Sequence, residues 1–118
     1  MNKSEFLKIA NEIFTDAIGV LDKANIDYAN DDDALSNFKE AAEILGCYKY
    51  DVLLVYWFKH FKSITNHIKG KRGNREPIKG RFLDCINYLV LCYAMIVEDE
   101  REEIPEPTWD KNDRNSSR

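Results

Sequence analysis

From Ser4 to Ala24 the apolar residues return every three or four positions: Phe6, Ile9, Ala10, Ile13, Phe14, Ala17, Val20, Leu21 and Ala24. Only a helix of 3.6 residues per turn collects such a set into one stripe. Nothing downstream alternates with period two for long enough to predict a strand, and no internal repeat is visible. The chain is therefore expected to be all-α.

Three further helices follow from the same periodicity and its punctuation. Asn25 to Asp31 breaks the stripe and predicts a loop, and Asp31-Asp32-Asp33 suits the N-terminal end of a second helix running to about Leu45. Leu35, Phe38, Ala41, Ala42 and Leu45 share its apolar face, and Gly46 is placed to end it. A third helix, rich in aromatics, is predicted over Lys49–Lys69 and stopped by Gly70. A basic loop, Lys69 to Arg75, leads to Pro77, which suits the first position of a fourth helix running into the acidic stretch Glu98 to Glu103. Short connections favour antiparallel neighbours, so the expected architecture is a four-helix bundle with a flexible C-terminal tail. Residues 1–103 form the single helical domain and 104–118 the tail, where two prolines and a polar run stop the periodicity.

At 118 residues the chain fits one domain, large enough to hold a core without disulfides. Its net charge of −4 argues against general nucleic-acid binding. Cys47, Cys85 and Cys92 show no CxxC spacing, and two of them lie in an apolar run, so they read as structural thiols. The longest unbroken apolar stretch, Leu89 to Val97, is too short to span a bilayer, so no membrane partner is expected. The first residues lead directly into the amphipathic stripe with no signal-peptide core, which predicts a cytoplasmic protein.

The fourth helix is apolar almost all round and is expected to be the most buried element. Set into it are Arg81, Asp84, Asn87 and Tyr88, which fall within an arc of about 120° on one side of the cylinder. A carboxylate and an amide facing a bundle interior cost several kcal/mol unless something satisfies them. Two readings stay open, a ligand or metal site and an internal Arg–Asp and Asn network. On the third helix Tyr56, His60, Ser63 and His67 form a second polar line beside Lys59. His60 and His67 are about two turns apart, roughly 10 Å, which is too far to share one ion comfortably. The basic loop offers a weak anion site at a helix N-terminus, without P-loop spacing. Asp27, Asp31, Asp32 and Asp33 could offer oxygen ligands for Mg²⁺, although such a cluster is more often helix capping with a solvated loop.

The order Asp27-Tyr28, Asn37-Phe38, Lys59-His60, then Arg81, Asp84, Asn87 and Tyr88 in "GRFLDCINYLVL" resembles the nucleotide-modification-associated helical domains of phages and prophages. These are distantly similar to the MazG-like all-α nucleotide pyrophosphohydrolases. The resemblance spans about Asn25 to Val97. It implies a phage protein in the host cytoplasm that binds or processes a nucleotide or nucleotide-derived ligand. Asp84 and Asn87 would then lie in the pocket, with Arg81 and Tyr88 beside them and Asn37, Lys59 and His60 facing them. An enzyme of that kind holds Mg²⁺ between an ExxE and an ExxD pair. Here Glu40 and Glu43 form ExxE but are expected in solvent, and the position three before Asp84 is Arg81. A guanidinium there opposes metal binding and suits direct binding of an anion. A non-catalytic interaction or counter-defence protein, acting on a host factor or sequestering a nucleotide signal, is the competing expectation, and self-association is compatible with both.

Overall fold

A computed structural model describes residues 1–28, 33–71 and 77–103. Four helices account for nearly all of it: α1 (Lys3–Tyr28), α2 (Ser36–Leu45), α3 (Lys49–Ile68) and α4 (Ile78–Glu103). No strand occurs among the described residues. The expected tail, 104–118, lies outside them, as do Asp31 and Asp32.

α1 runs on to Tyr28, so the predicted loop from Asn25 begins too early. No glycine or proline stands between Val20 and Tyr28, and nothing local stops the backbone hydrogen-bond ladder there. α2 has only ten residues, too few for a stable helix in water, and depends on its ends and its buried face. Asp33 acts ahead of its start, where Oδ1 accepts from the Leu35 N–H at 3.0 Å. At its end Gly46 adopts φ 65°, which lets Cys47 N–H reach the Ala42 carbonyl at 3.0 Å and Gly46 N–H reach that of Glu43 at 3.3 Å. Gly70 repeats the device after α3, with φ 82° and Lys71 N–H on the Asn66 carbonyl at 2.9 Å. Both glycine stops fall where the sequence predicts them.

α3 and α4 lie antiparallel. Lys49 and Tyr50, in the first turn of α3, bond Asp99 near the end of α4 at 2.5 and 2.6 Å, while His60 meets Arg81 near its beginning. α2 packs across one side of this pair, and α1 packs against α4. Lys39 ties α2 to α4 by bridging Asp33 at 2.8 Å and Glu98 at 2.7 Å. The core gathers where α2, α3 and α4 meet: Leu35, Phe38, Ala42, Val52, Leu53 and Met95, with Leu53 and Met95 at 0% exposure. Burying each of those two contributes about 1.5–3 kcal/mol.

Two expectations about burial change. Leu45 is exposed, because α2 turns only Phe38 and Ala42 fully inward, with Leu35 buried just ahead of its start. α4 is not the most enclosed element either: Phe82, Leu89, Val90, Tyr93 and Ile96 all face solvent. Its neighbours cover only part of its circumference, since α2 and α3 sit toward one side and α1 adds a narrow contact centred on Ala17. By length and composition alone α4 is long and apolar enough to cross a membrane, with mean hydropathy 1.4 over its most apolar window. A run of nine apolar residues understates this, because the apolar residues on either side of Arg81, Asp84 and Asn87 keep the average high despite those three.

Candidate functional site

The helical repeat places Tyr56 and His60 one turn apart on α3, so both rings can meet a single side chain of the facing helix. That side chain is Tyr88. Its ring lies nearly parallel to Tyr56 (centroids 6.0 Å, 11°) and to His60 (5.4 Å, 24°). Phe38 of α2 approaches it edge-on at 6.3 Å and 80°. The result is a short ladder of three near-parallel rings, backed by a fourth, along the α3–α4 seam.

Charge gathers at the His60 end. Nδ1 of His60 is 3.3 Å from the Arg81 guanidinium and 3.3 Å from Asp84 Oδ2. One ring nitrogen cannot serve both at once. Without a hydrogen it accepts from Arg81; with one it donates to Asp84, and the pair is an ion pair when both ring nitrogens are protonated. Arg81 and Asp84 are one turn apart on α4, so helix geometry presents both to the same imidazole. Asp84 remains partly exposed while the His60 side chain is largely covered. Asp84 and burial also leave a mark on their neighbours. The Tyr88 hydroxyl is held above its ordinary pKa, first by burial and then by the Asp84 charge, and the Cys85 thiol is raised for the same two reasons.

Asn87 is buried at 7% exposure, the one polar residue in that class among the described residues. Of the residues singled out in the sequence, the structure thus brings together His60, Arg81, Asp84 and Tyr88, with Asn87 one turn of α4 beyond Asp84. Asn37 and Lys59 are exposed on α2 and α3. Asn37 is next to Phe38, whose ring turns inward to Tyr88, while its own side chain faces out. Ser63, also on the polar line of α3, donates to the Lys59 carbonyl of its own helix at 3.4 Å, and His67 lies a further turn away.

Tyr56 and Phe38 complete the ladder, although the resemblance places neither of them in the pocket. Tyr56 precedes His60 by one turn, which is the available signal; Phe38 reads from the sequence simply as core. Glu40 and Glu43 are exposed, as their wheel positions predict. Among the described residues no three His, Cys, Asp or Glu side chains gather closely enough to hold a metal ion. No family model matches the chain, and no curated protein or solved structure matches it either.

Proposed function

We propose that this domain binds an anionic, nucleotide-class ligand along the Tyr56–Tyr88–His60 ladder. The observation that carries the reading is the junction of near-parallel aromatic rings with a guanidinium at one end. A base stacked on an aromatic side chain gains about 1–3 kcal/mol. A guanidinium beside it offers a planar fork for phosphate or carboxylate oxygens. Asn87 supplies a buried amide, donor and acceptor together, of the kind that reads the polar edge of a base. Asp84, in contact with His60, sets which proton His60 carries and so tunes the charge a ligand would meet.

Binding is favoured over hydrolysis because Arg81 stands where the metal-holding carboxylate of a MazG-like pair would be, and because Glu40 and Glu43 point away. The test is a thermal-shift series with nucleoside triphosphates, monophosphates and cyclic dinucleotides, each with and without Mg²⁺. At a hundredfold excess over its dissociation constant a ligand adds about 2.7 kcal/mol of stability. Arg81→Ala and Asn87→Ala should abolish the shift for the responding ligand. If no nucleotide raises the melting temperature, the proposal fails. If one does and is converted to a monophosphate and pyrophosphate only with Mg²⁺, the domain is an enzyme.

A further inference from the structure

The exposed side of α4 is patterned. α2 covers one side of the α3–α4 pair, with Phe38 on Tyr88 and Lys39 on Glu98. About 80–140° round α4 from Tyr88 stand Phe82, Leu89, Tyr93 and Ile96, exposed at 40%, 51%, 68% and 40%, with half-buried Ile86 at their edge, about 160° round. Positions 82, 86, 89, 93 and 96 alternate steps of four and three, the 3.5-residue repeat of a helix seam that packs against another helix. α3 turns Phe61 to the same side, about 140° round from Tyr56, where it stacks on Trp57 at 4.8 Å.

We infer that this bare face docks a second copy of the chain, α4 against α4 in antiparallel register about a two-fold axis near Leu89 and Val90. Three observations select that occupant. An isologous interface must be self-complementary, residue i meeting j while j meets i. Folding the α4 stripe about its middle sets Ile86 opposite Tyr93, Phe82 opposite Ile96 or Val97, and Lys79 opposite Glu100. Lys79 flanks the beginning of this stripe and Glu100, which has a contact of its own within the chain, flanks its end, so the same operation brings unlike charge together at both ends. Lys79 already touches Asp16, but that pair is well exposed and weak enough to rearrange. Third, the exposed parts of Leu54, Phe61 and Ile68 on this side of α3 and of the four exposed side chains of α4 amount to about 700 Å² per chain, at about 200 Å² for a whole large side chain. A standard stable interface buries that much from each partner. The face lies on the opposite side of the hairpin from α2 and includes no member of the Tyr88 ladder, so the inference is independent of the ligand reading.

The test is the mass of the full chain in solution, by light scattering and sedimentation. The expected value is about twice the 13.8 kDa of one chain. Leu89→Glu and Tyr93→Glu, at positions exposed in the single chain, should each give a monomer with unchanged helix content by circular dichroism. Lys79→Glu and Glu100→Lys should each weaken the dimer roughly tenfold, since the two-fold axis repeats each mismatch. The double variant should regain most of the loss, a rescue that only self-pairing in this register produces. A monomer at hundreds of micromolar overturns the inference, as does a dimer that survives Leu89→Glu. It is equally overturned if the chain floats with phosphatidylcholine–phosphatidylglycerol vesicles and Leu89→Glu abolishes that flotation, because the face would then seat in a bilayer.

Discussion

Asp84 of α4 reaches across to His60 of α3, carboxylate Oδ2 to imidazole Nδ1 at 3.3 Å, and the Arg81 guanidinium stands at the same distance from that same nitrogen. A hydrogen-bond acceptor and a donor thus compete for one ring atom, and the presence or absence of a hydrogen on Nδ1 decides which of them holds it.

Removing the acid should settle that competition. In Asp84→Asn the neutral amide no longer attracts a proton to Nδ1, so His60 should carry its hydrogen on Nε2 and accept from Arg81. Nitrogen-15 shifts of the imidazole report the tautomer directly. An unchanged ring spectrum would show that Asp84 does not govern it.

The core prediction rests on Leu53, which is fully enclosed among α2, α3 and α4. Leu53→Ala should cost about 2–5 kcal/mol, combining lost burial with the cavity left behind. Urea denaturation would measure it. Leu54→Ala, one residue on and half-exposed, should cost well under half as much.

Glycine substitutions should split in sign. Gly46 has φ 65°, where a Cβ is strained, so Gly46→Ala should destabilise the chain by about 1–2 kcal/mol even though no atom stands within 4 Å of the added carbon. Gly19 lies inside α1 with the same open space and no positive φ. Gly19→Ala should therefore stabilise the chain by about 0.5–1 kcal/mol. Melting temperatures moving in the same direction would refute the assignment of these backbone roles.

Stability should form a plateau in pH bounded on both sides. Asp99 is held below its ordinary pKa by Lys49 and then Tyr50, and Asp33 by Lys39. Depressed carboxylates contribute stability that is fully present above their unfolded value of about 3.9 and is lost as pH falls below it. Burial raises the Cys85 thiol and the Tyr88 hydroxyl, so their contribution is present below about pH 8.5 and 10 respectively and is lost as pH climbs through the raised values. Denaturation midpoints should be flat from about pH 5 to 8 and fall on either side. Asp99→Asn should flatten the acid limb and Tyr88→Phe the alkaline one. A midpoint that kept rising below pH 4 would contradict the carboxylate sign, and one that kept rising above pH 10 would contradict the thiol and hydroxyl sign.

Much of the architecture is legible in the residues themselves. Helix hydrogen bonds link residues four apart, so periodicity, Gly46, Gly70 and Pro77 determine where α2, α3 and α4 begin and end with little help from the rest of the chain. The same local geometry places Arg81, Asp84 and Tyr88 on one arc and turns Glu40 and Glu43 outward. What it cannot determine is which part of an apolar helix another helix will cover. α4 is apolar on nearly every side, and only the positions of α1, α2 and α3 decide that Met95 is enclosed while Tyr93 is bare. The meeting of His60 with Asp84, and of Tyr56 with Tyr88, is likewise tertiary. Those pairs are more than twenty residues apart in the chain, and their contact depends on the register of two antiparallel helices, which is set by packing at Leu53 and Met95 and by the Lys49–Asp99 tie at the far end.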